Sequence, residues 1–377
     1  MGKAWTYCKL SDISSVKSGY TPSEYLLNNV GDVPYFKVGD MNMEANLKYL
    51  QDSDSYINYP CKTFPKGSVA FPKNGAAIAT NKKRILRQDS VVDLNTAVLI
   101  PDKSINAEFL YYWIQHIDFR NITRRGAVPT LDLKELKEFP FPLISLQEQE
   151  RIVAELDLLT DIIDKQKAQL KELDTLASSI FYDMFGNPIE NEKEWGVKKL
   201  GDVGIIVAGG TPSTKDASNW NGDINWITPA EMGVQLYYGE TERKITAKAA
   251  KRLTLMPTGT VLLSTRAPIG KLAITSVPMC CNQGFKNIIC GSCINNIYLY
   301  YFLMLTMDKV KALGRGATFK EVSKRDIEKY SVTLPPLSLQ QSFAEKIEAI
   351  ERQKANINAS IAETQKLFDY TMDKYFG

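Results

Sequence analysis

The chain has little of what enzyme active sites are usually built from. Among its 377 residues there is a single histidine, His116. A two-histidine zinc motif is therefore excluded, and a Ser-His-Asp triad would have to use this one residue. Because His116 lies in the helical-looking stretch FLYYWIQHIDF, we interpret it as a structural residue.

Signatures of nucleotide and catalytic sites are absent as well. The chain contains no G-x-x-x-x-G-K-[ST] phosphate loop and no G-x-G-x-x-G after a strand-like run, which argues against an ATPase or a dinucleotide enzyme of those types. It also lacks the Asn-Pro-Pro-Tyr type of tetrapeptide found in amino-methyltransferases, and a compact carboxylate–lysine set that would suggest a nuclease. We therefore predict a non-catalytic binding protein whose chemistry resides elsewhere.

Metal-binding and membrane signals are equally scarce. Of the neighbouring cysteines Cys280, Cys281, Cys290 and Cys293, only the last two have the C-x-x-C spacing of zinc sites, so we predict buried thiols and no metal. No run approaches the roughly 20 apolar residues of a membrane helix, and the first residues form no apolar signal core. We expect a cytoplasmic protein.

What the sequence does contain is an internal duplication. KLSDISSVKSGYTPS from Lys9 is matched by KLGDVGIIVAGGTPS from Lys199, and PLISLQEQ from Pro142 by PPLSLQQS from Pro335. Blocks between them match in the same order, at shifts of 189 to 193 residues: FPKGSVAF with MPTGTVLL, FLYYW with YLYYF, and RRGA with GRGA. A period this long indicates a duplicated domain rather than a solenoid.

Each half ends in a long predicted helix. S-L-Q-E at Ser145–Glu148 and S-L-Q-Q at Ser338–Gln341 are capping boxes that follow prolines, and Gly186 is a helix stop. Apolar residues then recur at alternating steps of four and three, the heptad pattern of a coiled coil. The predicted seam consists of Ile152, Leu156, Leu159, Ile163, Leu170, Leu173, Phe343, Ile347, Ile350, Ile357, Ile361 and Phe368, with Gln166 and Lys354 as polar interruptions.

These helices dictate the predicted architecture. About 33 residues of seam span roughly 50 Å, more than one small domain needs, so we predict that the two helices pack together antiparallel. The fold class is α+β: two similar α/β-type globular domains are joined by a two-helix coiled coil with pseudo-twofold symmetry, one domain at each end. The predicted bounds are 1–144 and 198–337 for the globular domains, 145–186 and 338–377 for the helices, and 187–197 for a linker.

Charge is segregated between these parts. The globular segments 1–145 and 190–335 together carry a net charge of +9, whereas the helical segments carry −6. Basic and amide residues cluster in the loops of the globular domains and suit base edges and phosphates. The predicted nucleic-acid contacts are Lys73, Asn74, Asn81, Lys82, Lys83, Arg84, Arg124, Arg125, Arg266, Lys271, Gln283, Lys286 and Arg315.

The duplicated openings, the block PTGTVLLSTRAPIGKLAI with the later CNQGF, and the two RGA-to-PLxSLQ transitions resemble those of the specificity (S) subunit of type I restriction–modification enzymes. The resemblance covers the full length. It implies two target recognition domains, each reading half of a split, asymmetric target in double-stranded DNA, with the coiled coil setting the unread spacer. The first half departs from the family pattern at FPKNGAAIATNKKRI, as different half-sites would require.

The resemblance also implies partners. Two modification subunits would carry S-adenosylmethionine, and two restriction subunits would add an ATP- and Mg-dependent motor and nuclease, so this chain itself would need no cofactor. Two alternatives remain open from the residues. The same module would serve a methyltransferase-only system or a fused methylase–nuclease, and a tandem scaffold could use its coiled coil to bind only protein.

Overall fold

A computed structural model describes residues 5–23, 27–59, 61–124, 126–266, 268–316 and 320–377. The chain divides into two compact units. Unit 1 consists of Met1–Gln166 with Ala359–Gly377, and unit 2 of Lys167–Asn358. Each long helix therefore contributes one part to each unit. None of the described helices is both long and apolar enough to span a membrane.

Unit 1 is built mainly from short strands. The strands are β1 (Thr6–Lys9), β2 (Ser14–Ser18), β3 (Leu27–Asn28), β4 (Val33–Phe36), β5 (Tyr49–Leu50), β6 (Tyr56–Ile57), β7 (Val69–Pro72), β8 (Arg84–Leu86), β9 (Val91–Val92), β10 (Thr96–Pro101), β11 (Thr123–Arg124), β12 (Thr130–Leu131) and β13 (Pro140–Leu143). Its helices are α1 (Leu10–Ile13), α2 (Ala107–His116), α3 (Leu133–Lys137) and the first part of α4 (Leu146–Phe185).

Unit 2 repeats this plan. Its strands are β14 (Gly196–Lys199), β15 (Gly204–Ala208), β16 (Trp220–Ile227), β17 (Tyr237–Tyr238), β18 (Lys244–Ile245), β19 (Val261–Thr265), β20 (Ile269–Thr275), β21 (Cys280–Cys281), β22 (Lys286–Cys290) and β23 (Ser331–Leu334). Its helices are α5 (Leu200–Val203), α6 (Ala247–Ala250), α7 (Asn296–Leu305), α8 (Met307–Ala312), α9 (Lys324–Glu328) and the first part of α10 (Leu337–Phe376).

The two units share one sheet topology. The main sheet has the strand order β2-β10-β7-β8-β5 in unit 1 and β15-β22-β19-β20-β17 in unit 2. In both sheets the last pair is parallel, and in both units a smaller sheet contains a second parallel pair, β4–β9 and β16–β21. The strands that match in topology also match in the sequence repeat, so the duplication is a duplication of fold.

Each unit has its own apolar core, and the long helices supply part of it. The core of unit 1 contains Leu156 of α4 and Met372 of α10 beside the sheet residues. The core of unit 2 contains Phe181 of α4 and Phe343 of α10. Burial of these large side chains fixes the helices against the sheets, since each contributes about 1.5–3 kcal/mol of transfer free energy.

Helix α4 begins and ends as the sequence predicts, whereas α10 begins earlier. The Ser145 hydroxyl accepts a hydrogen bond from the backbone N–H of Glu148 at 3.3 Å, and Gly186 follows the helix with a left-handed φ of 74°. Helix α10 starts at Leu337, directly after Pro336, so Ser338 lies inside it. The predicted capping box at Ser338 is therefore wrong, because the helix has already begun before it.

Buried glutamines at matching positions hold the helix starts. Gln149 accepts a hydrogen bond from the backbone N–H of Asn106 at 2.8 Å, and Gln340 accepts one from Asn295 at 2.8 Å. Their amide groups donate to backbone carbonyls on both sides of the junction. Asn106 and Asn295 are the N-caps of α2 and α7. The repeat thus preserves one polar clamp that joins each long helix to the preceding helix.

In unit 1 the two long helices run antiparallel. The Tyr375 hydroxyl donates to Glu155 at 2.7 Å and accepts from Arg151 at 3.1 Å. Further along, the Gln166 amide donates to the Ser360 hydroxyl at 2.7 Å. Residue numbers rise on one helix as they fall on the other. The antiparallel pairing therefore gives Gln166, a polar interruption of the seam, a polar partner in Ser360.

The same antiparallel pairing occurs in unit 2. The Lys354 ammonium lies 2.9 Å from Asp174 and 2.7 Å from Glu351, and the rings of Phe181 and Phe343 meet edge to face at 5.6 Å. Among the predicted seam residues, Ile152, Leu156, Leu159, Ile163, Phe343, Ile347 and Ile350 are buried, while Leu170, Leu173, Ile357, Ile361 and Phe368 are half-buried. The predicted α+β fold with an antiparallel helix pair is confirmed.

Candidate nucleic-acid interface

A strand-end junction of the same design occurs in each unit. In unit 1 it is formed by Asn74 and Arg124, which both bridge to Thr130. Its defining feature is that the segment after β7 and the strand β11 both pair with the same residue, Thr130. Lys73, just before Asn74, fixes this crossing because its carbonyl accepts from Leu131 at 2.9 Å and its N–H donates to Asn95 at 2.8 Å.

The junction of unit 2 occupies the equivalent place after β19. Arg266 and Arg315 both form backbone bridges to Glu321. The residue before Arg266, Thr265, repeats the two backbone hydrogen bonds of Lys73, with Val322 at 3.0 Å and Gly284 at 2.8 Å. The sequence-predicted residues Asn74 and Arg124 are thus the structural counterparts of Arg266 and Arg315.

The unit 2 junction has more cationic side chains than carboxylates. Glu321 lies 3.2 Å from the Lys286 ammonium and 3.8 Å from the Arg266 guanidinium. Arg315 is 84% exposed and lies 3.5 Å from Asp326. Exposed guanidinium groups with a weakly held carboxylate partner can exchange it for a phosphate or a guanine edge.

Gln283 extends this surface, whereas Lys286 supports it from within. The Gln283 side chain is exposed and accepts a hydrogen bond from the Thr211 hydroxyl. Lys286 is only 8% exposed and its ammonium lies 3.5 Å from the Gln283 carbonyl. This burial argues against the predicted direct contact of Lys286 with DNA, because its charge is directed toward Glu321.

In unit 1 the junction arginine is also held by a local acid. Arg124, which is 62% exposed, donates to Asp132 at 2.5 Å. Asn74 is half-buried and its amide lies 3.4 Å from that of Asn95. Lys73 is partly buried, and this burial lowers the pKa of its ammonium. Arg125 lies outside the described residues.

The basic stretch after Asn81 serves the interior instead. Lys83 is fully buried, and its ammonium donates to Asn81 and to the Ile117 carbonyl, both at 2.7 Å. Arg84 is 8% exposed and donates to the carbonyls of Asn46 and Met41 at 2.5 and 3.1 Å. These positions argue against the predicted DNA contacts, because a buried, satisfied cation cannot reach a phosphate without leaving its acceptors unpaired.

Lys82 and Lys271 occupy equivalent positions in the two units and have the same structural role. The Lys82 ammonium donates to Asn42, in the 3-10 turn Val38–Asn42 that follows β4. The Lys271 ammonium donates to the carbonyls of Pro229 and Met232, at 2.8 and 2.7 Å, in the segment that follows β16. Both lysines are half-buried. Each holds the loop that follows the corresponding strand, which argues against a primary role as a DNA contact.

Asn81 is a structural residue for a backbone reason. It has a left-handed φ of 54° and ends the 3-10 turn Ala76–Thr80. Its side-chain oxygen accepts from Lys83 and from the Phe119 N–H at 3.0 Å. Asparagine tolerates this conformation better than most residues, so Asn81 connects two segments of unit 1.

Two exposed arginines were missed by the sequence reasoning. Arg120 is held against Asp118 at 2.7 Å and lowers the pKa of that carboxyl. Arg243 lies over the ring of Trp220 at 3.8 Å and near that of Trp226 at 5.0 Å. A sequence signal was available for Arg243, which opens the cation-rich stretch Arg243–Arg252, but that stretch lies outside the matched blocks of the repeat on which the prediction relied.

Metal chemistry has no obvious site in the described part of the chain. Within it, no group of three or more histidine, cysteine, aspartate or glutamate side chains could hold a metal ion. The prediction of buried thiols is confirmed for Cys280 and Cys281, whereas Cys290 is half-buried and the prediction is wrong for Cys293, which is exposed. Burial raises the pKa of the Cys280 thiol to about 11. His116 lies at the end of α2, 4.0 Å from Asp373.

Comparison with known families gives one assignment along most of the chain. The family model described as "Type I restriction modification DNA specificity domain" matches residues 2–175 and 192–365. The two matches have the same length and follow the internal repeat. Each spans one globular segment together with much of the long helix that follows it.

Curated relatives carry related descriptions. The type I restriction enzyme MjaIX specificity subunit of Methanocaldococcus jannaschii is 42% identical over 158 residues, 40% of this chain and 37% of the relative. The putative MjaX specificity subunit of the same organism is 25% identical and the match covers 68% of this chain and 64% of the relative. The EcoR124I/EcoR124II specificity subunit of Escherichia coli is 25% identical, with 73% and 72% covered.

Solved structures share the fold. The type I restriction-modification S subunit of M. genitalium has a TM-score of 0.59 at 14% identity, with 99% of this chain and 96% of that one covered. A chain from a structure of the assembly and conformational transition of a type I R-M system has a TM-score of 0.60 at 18% identity, with 100% and 98% covered. At these identities the likeness concerns the fold alone.

Proposed function

Because the chain belongs to the family of type I restriction modification DNA specificity domains, we propose that it is the specificity subunit of such a system and recognises a bipartite, asymmetric DNA target. One observation carries this proposal. Both units present the same strand-end junction, but with different side chains, Asn74 and Thr130 in unit 1 against Arg266 and Glu321 in unit 2. Equivalent positions with different chemistry are what two readers of different half-sites need.

The two recognition domains of this proposal comprise residues 1–144 and 198–337, joined by the helices at 145–186 and 338–377 and the linker 187–197. The exposed residues Arg124, Arg266, Gln283 and Arg315, with the half-buried Asn74, are the proposed DNA contacts. Arginine suits guanine O6 and N7, and the amides suit adenine. Lys73, Asn81, Lys82 and Lys271 are assigned to positioning these loops.

The partners follow from the family. The chain is proposed to be non-catalytic and cytoplasmic, and to direct two methyltransferase subunits and the restriction subunits to the target. S-adenosylmethionine, ATP and Mg would then be bound by those subunits.

The test is a domain exchange followed by methylome sequencing. Residues 1–145 are replaced by the corresponding domain of another family member, and the complex with its methyltransferase subunits is expressed in a methylation-free host. We expect one half of the methylated sequence to change while the other half and the spacer persist. A change in both halves contradicts modular recognition. A complex that forms but leaves no footprint on duplex DNA would instead indicate a protein-binding scaffold.

A further inference from the structure

Unit 2 carries a second basic surface that the proposed contacts do not include. The ten residues Arg243–Arg252 contain five cations and no acid: Arg243, Lys244, Lys248, Lys251 and Arg252. We call these five side chains the basic strip. All five are exposed. Within the part of the chain that the structure describes, none of them lies within ion-pair distance of a carboxylate, in contrast to the arginines of both junctions.

The strip is held in place by defined contacts. Strand β18, which contains Lys244, pairs with β16 through Ile245. Thr246 is the N-cap of helix α6 and its hydroxyl accepts a hydrogen bond from the backbone N–H of Ala249, and Ala249 and Ala250 are buried against the sheet. Burial of the alanines turns Lys248 and Lys251 toward solvent.

Arg243 has a particularly restricted position. Its guanidinium carbon lies 3.8 Å from the Trp220 ring centroid, and the two indole rings meet edge to face at 5.1 Å. The backbone N–H of Trp226 donates to the Arg243 carbonyl at 3.1 Å. A planar cation stacked on an indole loses little entropy on binding an anion, and its hydrogen-bonding edge remains available.

Contacts connect the strip to the unit 2 junction. The Trp226 indole donates to the Gly210 carbonyl at 2.9 Å. The hydroxyl of the next residue, Thr211, donates a hydrogen bond to the exposed side chain of Gln283. Three residues after Gln283 comes Lys286, whose ammonium donates to Glu321 of the junction. The strip, the Gly210–Thr211 turn and the junction are therefore contiguous in unit 2.

Acids lie at both ends of the strip, since Glu242 directly precedes Arg243 and Asp216 lies near Lys248. The Ser218 hydroxyl donates to Asp216 at 2.7 Å, and Lys248 donates to the same hydroxyl at 3.1 Å. The hydrogen bonds from Ser218 lower the pKa of Asp216, and Lys248 and Arg252 contribute to this shift. Asp216 thus neutralises part of the charge at one end and leaves the rest of the strip positive.

Unit 1 provides an internal comparison. Strand β6 is the counterpart of β18, because Ile57 pairs with Val33 as Ile245 pairs with Ile224. The corresponding segment up to the matched FPKGSVAF block, residues 55–63, is four residues shorter than 243–255 and contains one cation, Lys62, and a serine stands in the place of Arg243. The strip is therefore specific to unit 2 and is not needed to build the fold.

We infer that the basic strip binds the phosphate backbone of double-stranded DNA beside the half-site read by unit 2. The inference rests on the proposed function and adds a backbone contact to it. Lysines on a short helix next to a sequence-reading loop supply affinity and orientation without reading bases. Because unit 1 has no such strip, unit 2 is assigned the larger share of the salt-dependent binding.

The experiment uses the full chain in complex with its methyltransferase subunits, after the methylated sequence has been established. Affinity for a duplex with the target and for a scrambled duplex is measured between 0.05 and 0.2 M KCl (concentrations of roughly this range separate phosphate contacts). For K248A/K251A/R252A we expect both affinities to fall by the same factor, on the order of tenfold, and the salt slope to fall by about 2 to 3.

A control variant that removes the same number of positive charges elsewhere in unit 2 distinguishes loss of the strip from a change in net charge. Lys198, Lys199 and Lys329 are exposed lysines on β14 and next to α9 of the same unit. The variant K198A/K199A/K329A should leave the salt slope near the wild-type value. Circular dichroism melting and gel filtration of both complexes establish that folding and assembly are intact.

Each other outcome overturns the inference. Unchanged affinity and unchanged salt slope in K248A/K251A/R252A mean that the strip does not contact DNA. If the wild-type complex still binds the target duplex specifically, the proposed function is unaffected by this result. An altered methylated sequence in R243A means that Arg243 reads a base. Loss of the methyltransferase subunits from the variant complex, with DNA binding otherwise normal, means that the strip binds protein.

Discussion

Lys83 shows how an ionisable side chain can belong to the core of a globular domain. Its ammonium has two acceptors, Asn81 and the Ile117 carbonyl, and lies 4.1 Å from the Phe119 ring centroid. Burial lowers its pKa from 10.5 to about 7. A neutral amine still has two N–H donors, which are enough for both acceptors. The residue therefore connects β8 to the segment after α2 in either protonation state.

This placement predicts a pH-dependent stability. Between pH of about 7 and 10.5 the unfolded chain holds a proton on Lys83 that the folded chain has released. The contribution of Lys83 to the free energy of unfolding should thus rise with pH across this window, by at most about 1.4 kcal/mol per pH unit. Urea unfolding of wild type and K83M at pH 7 and pH 9 measures it.

The difference between wild type and K83M should be larger at pH 9. The substitution Lys66→Met, at an exposed lysine, is the control. An equal difference for K83M at both pH values would mean that Lys83 keeps its proton in the folded protein.

The junction arginines predict separable losses of recognition. Arg124 and Arg315 occupy equivalent positions in the two units, each forming a β-bridge at the junction. R124A should relax the sequence requirement in one half of the target and R315A in the other, each with a cost of about 1–3 kcal/mol in binding the cognate duplex. Methylome sequencing of the two variants reports which base positions become degenerate. Broad weakening with unchanged sequence preference would make these arginines phosphate contacts.

At the scale of elements, the helix pair combines an apolar seam with a few polar positions. Gln166 donates to Ser360, while its side-chain oxygen is buried without a hydrogen-bond partner. A buried oxygen in this state costs free energy, on the order of 1–3 kcal/mol. A polar pair in a seam can specify register at this cost in stability.

A double-mutant cycle tests the pair. S360A removes the one partner of the Gln166 amide and should destabilise the protein by about 1 kcal/mol, whereas Q166L/S360A should be close to wild type or more stable, because both partners are then apolar. Denaturant midpoints of the four proteins give the coupling energy. Additive effects of the two substitutions would show that the hydrogen bond makes no contribution.

For the whole molecule, the prediction concerns the spacer between half-sites. Helices α4 and α10 each run for 40 residues without interruption. Deleting Asp164–Leu170 from α4 and Asn356–Ala362 from α10 removes one heptad from each helix, including the hydrogen-bonded pair Gln166 and Ser360. The deletion shortens the pair by about 10 Å.

We expect the unread spacer to shorten by about three base pairs, since each base pair rises about 3.4 Å. Methylome sequencing measures the spacer directly. Deleting only one of the two heptads is the control and should disrupt the seam and lower the melting temperature. A spacer that does not change in the double deletion would refute a ruler role for the helices.

The sequence by itself determined the duplication, the two long helices and their heptad seam. These features depend on local periodicity and on caps such as Ser145 and Gly186, which act within one helix and leave a direct mark in the sequence. The start of α10 was predicted slightly too late in the sequence. Pro336 and Ser338 are both residues that commonly come just before a helix, and local sequence does not decide between them.

The tertiary structure alone decided which cations face solvent. Lys82, Lys83 and Arg84 are adjacent and chemically similar to Arg124, yet they hold loops and helices while Arg124 is exposed. It also decided that Ser360 partners Gln166 and that Arg243 stacks on Trp220. Such outcomes depend on residues far apart in the chain, because a cation is buried only where distant carbonyls and rings converge to replace its water.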